Sequence, residues 1–261
     1  VSAMRFSTVV LDADGKSLLA VDNRDARAAG EYFEVAEKMG QRLLQDTGCW
    51  PLPLHASTRL LWLKKQQPDN FSQVQTVFGM GEWLTWRLSG VRAIDATLAS
   101  ATGLFHLTEK AWCWQLIDEL GLPRAIFPPL IDAGCAVGEL TPDAAAHRGM
   151  TPGVVAARGG PHAPCSLLGG GVIAPGDVAV VAGTTAPVQV VLDKPSYDPS
   201  GKSLGTYHVV PGRWVLESNG GGMGYSMSLM ARMLFPEAPE PELRLLAEAA
   251  QRGDHIRVFV R

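Results

Sequence analysis

Residues 157–186, "ARGGPHAPCSLLGGGVIAPGDVAVVAGTTA", concentrate residue types from which chemistry can be built. Gly159-Gly160-Pro161 forms a turn that delivers His162 to the start of a small-residue segment. A neutral imidazole accepts a proton, and its reference pKa of about 6.5 suits that task near neutrality. Gly183-Thr184-Thr185 directly follows an apolar strand, where backbone N–H groups and hydroxyls can hold phosphate oxygens. It is not a Walker A motif, because no Gly-Lys-Ser/Thr follows a glycine-rich loop. Gly221 and Gly222, within "SNGGGMG", stand before a methionine-rich helix, so backbone can approach a nucleotide at a helix N-terminus. Asp25 and Arg27 can contact a polar substrate. Each feature has a plainer counterpart: a structural histidine in a turn, a hairpin turn, a flexible glycine turn, a surface Asp–Arg pair.

The whole chain narrows the classes. Its 261 residues suffice for one large or two medium domains with real cores, and a hydrophobic content of 46% argues against disorder. A net charge of −3 leaves no electrostatic footprint for nucleic acid. No apolar run reaches the roughly 18 residues a membrane span needs, and no signal peptide opens the chain. Cys49, Cys113, Cys135 and Cys165 are spaced too irregularly for a zinc site or a disulfide framework. They read as free thiols in a reducing cytoplasm. No metal ligand set stands out.

The elements that must position these residues alternate between strand, helix and hairpin. Residues 9–11 and 18–21 flank the turn Asp12-Ala13-Asp14-Gly15 and predict a β-hairpin. Residues 28–44 predict a helix with Phe33, Ala36, Met39 and Leu43 near one face, closed by Gly48. Ser57 or Thr58 is expected to cap a helix over 59–66, and Thr108 one running through Leu120. Thr141-Pro142-Asp143 carries a capping hydroxyl, a proline at the first helical position and an acid in the first turn. Strands are expected over 154–157, 178–182 and 188–192, and a short helix over 166–169. The stripe from Met223 to Met233 reads as core packing. The pattern is mixed α/β, with a domain change expected near residue 172, giving units 1–172 and 173–261.

Several stretches resemble the FGGY carbohydrate kinases in order and spacing. "VVLDADGKSLLAVDNRDARA" is similar to the family's strand-turn-strand leading to Asp-x-Arg, with Asp25 and Arg27 at those positions. "RLLWLKKQQPDNF" resembles "KLLWLKENEPEIF", and "GMGEWLTWRLSG" resembles "PKDYLRYRLTG". "LGLPRAIFPPLIDAGCAVGELTPDAA" follows the family closely. The resemblance implies the actin-like, ribonuclease-H-like ATPase fold, two domains around a cleft. It implies ATP-dependent phosphorylation of a sugar or polyol hydroxyl with Mg²⁺ in the cytoplasm, Asp25 holding sugar hydroxyls and Gly183, Thr184, Thr185, Gly221 and Gly222 at the nucleotide. Two departures stand out: His162 occupies the place of the family's catalytic aspartate, and Phe6 stands near where some relatives carry a substrate-facing histidine. The family's Asp-x-Gly-Thr-Thr loop is not in this sequence, so the resemblance places the chain in the middle of a longer kinase. Taken alone, the chain is therefore expected to lack appreciable sugar kinase activity. A pseudokinase that binds a sugar or a partner is the competing expectation, and a homodimer stays open.

Overall fold

The computed structural model describes residues 1–151, 153–181 and 185–251. Strand β1 (Ser2–Ala3) precedes the expected hairpin, β2 (Thr8–Leu11) and β3 (Ser17–Val21), which pair antiparallel. The Asp12 carboxylate closes the turn by accepting from the amides of Asp14 and Lys16 at 3.0 and 2.9 Å. Helix α1 (Ala29–Thr47) ends at Gly48, whose φ of 75° is the left-handed C-cap a glycine tolerates. Its buried side carries Glu31, Val35 and Leu43, while Phe33 is 68% exposed. The expected face is thus corrected, because the i, i+4 row through Glu31 and Val35 meets the core.

Helix α2 (Ala56–Gln66), with His55 as its N-cap residue, begins three residues before the expected start, so Ser57 and Thr58 lie inside its first turn. Thr58 there donates to the carbonyls of Leu52 and His55 rather than capping. Helix α3 (Pro68–Ser72) leads to β4 (Thr76–Phe78), which flanks β2 on the side opposite β3. Strand β2 therefore lies between two partners and reads Thr-Val-Val-Leu, buried throughout. Helix α4 (Met80–Ser89) precedes β5 (Ile94–Asp95) and helix α5 (Ala96–Ser100), which the Asp95 carboxylate caps through the amides of Thr97 and Leu98. Thr108 caps nothing: Phe105 and Trp112 form a β-bridge, and helix α6 (Trp114–Glu119) starts only after it. Phe105 meets Trp112 edge to face, with ring centroids 5.6 Å apart, beside Leu60, Leu63, Leu104, Leu116 and Ile117 at the centre of the main core.

Strand β6 (Leu130–Ile131) pairs parallel with β5, and β7 (Ala136–Glu139) pairs antiparallel with β8 (Val155–Ala157). Between them helix α7 (Pro142–Arg148) is capped by the Thr141 hydroxyl, as expected. Strand β9 (Gly160–Pro161) pairs parallel with β1, and helix α8 (His162–Gly169) follows immediately, four residues earlier than expected. Strands β10 (Val178–Val180), β11 (Pro187–Leu192), β12 (Leu204–Tyr207) and β13 (Trp214–Asn219) form an antiparallel sheet in the order β10-β11-β13-β12. Its β12–β13 hairpin is fastened to the main core: Tyr207 donates to the His106 carbonyl and Trp214 Nε1 to the Leu107 carbonyl, each at 2.9 Å. Helices α9 (Met223–Leu234) and α10 (Pro241–Gln251) pack on each other. Only Ala231 of α9 is buried; Met223, Met230 and Met233 are exposed, so the methionine stripe is not core here. Among the described residues, no helix is long and apolar enough to cross a membrane.

Candidate functional site

His162 stands at the first position of α8, exposed, directly after the Gly-Gly-Pro turn. Gly160 has a φ of 88°, and a Cβ there would lie 2.9 Å from Val209 Cγ1, so only glycine makes this turn without strain. The Gly159 amide donates to the Val1 carbonyl at 2.7 Å, and Cys165 Sγ donates to the Gly159 carbonyl at 2.8 Å. Because β1 and β9 run parallel in the register Ala3 to Pro161, residues 4–7 and His162 leave adjacent strands at the same carboxyl end. In α/β folds that end is where ligands bind.

Behind the turn lies a buried charge network. Arg158 is fully buried and donates to Asp95 Oδ2 at 3.0 Å, Thr85 Oγ1 at 3.0 Å and Glu82 Oε1. Burial pushes the Glu82 carboxyl above its ordinary range, while the Arg158 charge pulls it back. Glu82 Oε2 has no partner among the described residues. These four side chains tie α4, the cap of α5 and the chain leaving β8 toward the turn into one unit.

Asp25 and Arg27 pair with each other. The Arg27 guanidinium grips the Asp25 carboxylate, Nη2 to Oδ2 at 2.7 Å, and lies 4.8 Å from the Trp62 ring centroid. The Arg27 hydrogen bonds hold the Asp25 carboxyl below its ordinary range, against partial burial, with a smaller contribution from the Arg59 charge. This loop joins the carboxyl end of β1 through Arg59, which reaches the carbonyls of Phe6 and Asp25 at once. Phe6 has a φ of 61° and stacks on the His55 ring at 5.7 Å.

Arg5 extends the site to β13. It donates to both carboxylate oxygens of the buried Glu217, at 2.6 and 2.8 Å, and Glu217 also accepts from Gln189 Nε2 at 2.6 Å. Two residues further along β13, Asn219 donates to Thr185 Oγ1 at 3.3 Å and its Oδ1 accepts from the Gly221 amide at 3.0 Å. The turn containing Gly221, with φ of 73°, leads to Gly222 at the start of α9, where no side chain caps the first turn. Thr185, Gly221 and Gly222 are thereby brought together at a helix N-terminus, a place where a phosphate can bind. Gly183 and Thr184 lie outside the described residues. Among the described residues, no cluster of three His, Cys, Asp or Glu side chains is placed to hold a metal ion. All four cysteines are free, and burial pushes the Cys49 and Cys113 thiols up to about 12, which makes them inert.

Sequence reasoning did not reach Arg5, Arg59, Arg158, Glu82, Asp95 or Glu217. The one local signal was Asp95, an acid before a helix-forming run. The others find partners far away in the chain; Arg5 and Glu217 are 212 positions apart.

A family model described as the FGGY family of carbohydrate kinases, N-terminal domain, matches residues 1–169. Autoinducer-2 kinase of Yersinia enterocolitica is 35% identical over 220 residues, covering 83% of this chain and 41% of that protein. The crystal structure of xylulose kinase from Rhodospirillum rubrum superposes with a TM-score of 0.86 at 26% identity, over 97% of this chain and 52% of that one. Gluconate kinase from Lactobacillus acidophilus gives 0.85 at 23% identity, over 96% and 51%. The chain spans about half the length of these relatives or less. The fold is the actin-like, ribonuclease-H-like sugar-kinase fold that the sequence led us to expect. With the match running through the Gly-Gly-Pro-His turn and the Asp25 loop, the chain belongs to the FGGY family of carbohydrate kinases.

Proposed function

We propose that this chain carries the acceptor site, and part of the nucleotide site, of an ATP-dependent kinase that phosphorylates a hydroxyl of a sugar or polyol. The observation that supports this reading most is the shared carboxyl end of β1 and β9, where His162 leaves one strand and the Arg5–Phe6 segment the other, with the Asp25 loop tied in by Arg59. ATP supplies the γ-phosphoryl group and Mg²⁺ offsets its charge. Asp25 accepts hydrogen bonds from sugar hydroxyls and orients the acceptor. His162, as neutral imidazole, takes the proton of the attacking hydroxyl in place of the family's aspartate. Thr184, Thr185 and the amides around Gly221 and Gly222 hold the phosphates, with residues 1–172 and 173–261 forming the two sides.

The experiment is a screen of ATP consumption by the product of the longest open reading frame that encodes this chain, against pentuloses, hexuloses, glycerol and other polyols. Acceptor-dependent ADP release supports the reading. ADP release that ignores every acceptor counts against it.

A second reading has its own observation. The His162 imidazole makes no hydrogen bond among the described residues, so nothing there orients it as a base. A sugar-binding protein without catalysis would bind an acceptor, seen by calorimetry, and release no ADP.

A further inference from the structure

Arg59 is a buried cation that takes no part in the transfer step itself. Its side chain is fully buried on α2 and, among the described residues, forms no ion pair with a carboxylate. Its guanidinium is aimed at four neutral oxygens instead. One terminal nitrogen donates to the Phe6 carbonyl and to Thr8 Oγ1 at 3.1 Å; the other donates to the carbonyls of Asp22 and Asp25 at 2.6 and 2.7 Å. These four bonds offset the cost of burying the charge, and Nε alone has no partner among the described residues.

The position explains the arrangement. Strands β2 and β3 pair as far as Thr8 with Val21, and beyond that pair their ends diverge. Arg59 fills the gap, replacing ladder bonds between residues 6–8 and 22–25 with its planar fork. Phe6 is left-handed at φ 61°, a strained conformation for an aromatic residue that persists only where surroundings impose it. The Arg59 bond to its carbonyl and the stacking on His55 impose it here.

We propose that Arg59 is a positioning residue of the acceptor site, presetting the Phe6 segment and the Asp25–Arg27 loop relative to each other before a sugar arrives. This rests on reading that end of the fold as a kinase acceptor site. Such presetting lowers KM for the acceptor rather than changing the transfer step.

The test compares Arg59→Met and Arg59→Lys with the parent by amide hydrogen exchange on the 261-residue chain, and by D-xylulose- and glycerol-dependent ADP release on the longest encoded product. In Arg59→Met, amides of residues 22–27 are expected to exchange about tenfold faster or more than in the parent, while those of β13 keep their rates. Arg59→Lys, which keeps the charge but not the fork, is expected to fall between. Where either acceptor is turned over, Arg59→Met raises its KM about tenfold or more with kcat within about threefold. Unchanged exchange at 22–27, or exchange accelerated equally everywhere, overturns the proposal whether or not turnover is seen. So does a loss confined to kcat. Absence of turnover in the parent counts against the kinase reading, and the exchange pattern then decides this one.

Discussion

Arg158→Met removes the cation that, among the described residues, pairs with both Glu82 and Asp95, all three fully buried. Asp95 keeps its Oδ1 bonds to the amides of Thr97 and Leu98, at 3.0 and 3.2 Å, and to the Thr97 hydroxyl. Glu82 keeps less: Oε1 loses Arg158, and only weak contacts with the backbone amides of Gly79 and Glu82 oppose the effect of its burial. It must therefore take up a proton on folding. Protonating a carboxyl of ordinary pKa about 4.3 at pH 7 costs about 3.7 kcal/mol, from about 1.36 kcal/mol per pH unit. That agrees with the roughly 3–5 kcal/mol seen when one member of a buried ion pair is removed. The sign follows from linkage: the folded variant binds one more proton than its unfolded chain, so the deficit shrinks as pH falls. Near pH 5 it should be about 1 kcal/mol. The assay is urea unfolding of parent and variant at both pH values, with matched m-values confirming a common unfolded state. A deficit that is equal at pH 7 and pH 5, or below about 1 kcal/mol at pH 7, would refute the reasoning.

Other expectations follow from single residues. Burial lowers the pKa of His55 to about 3, with the Arg59 charge adding to the effect, so the folded chain keeps the imidazole neutral while the unfolded chain protonates it below about 6.5. Its contribution is present above that pH and is lost as pH falls toward 3; His55→Leu should flatten the slope of urea-derived stability between pH 6 and pH 4 by up to about 1.4 kcal/mol per unit. Gly160→Ala puts a Cβ 2.9 Å from Val209 Cγ1 at a φ of 88°, and its unfolding midpoint should drop by the equivalent of about 1–3 kcal/mol; an unchanged midpoint would mean the turn is not held as described.

The legible parts of the fold are those set by neighbours in sequence. The β2–β3 hairpin follows from two apolar runs around Asp-Ala-Asp-Gly, and α7 from Thr-Pro-Asp, because turns and caps are closed within a few residues. Thr108 misled because its helix-start pattern competes with a β-bridge between Phe105 and Trp112, which no local spacing announces. Phe33 misled because a helix with apolar residues on two sides leaves the choice of buried side to its neighbours. At the site, the glycine turn and the Asp25–Arg27 pair were readable from residue types, whereas the way Asn219 links Thr185 to Gly221 was not. The arginines that hold them together were not. A buried arginine and a surface arginine look identical in sequence, and Arg158 meets Glu82 and Asp95 across 76 and 63 positions.

The central claim is that position 162 is where the acceptor hydroxyl loses its proton. The direct measurement is acceptor-dependent ADP release by the longest encoded product as parent, His162→Ala and His162→Asp, with an acceptor found in the screen of any of the three. An acid at the first position of α8 also favours the helix, so His162→Asp should fold at least as well as the parent. The account predicts that His162→Asp turns over about a hundredfold or more faster than His162→Ala, in line with the contribution of a positioned base. Equal rates for His162→Ala and His162→Asp, or silence in both, would contradict it.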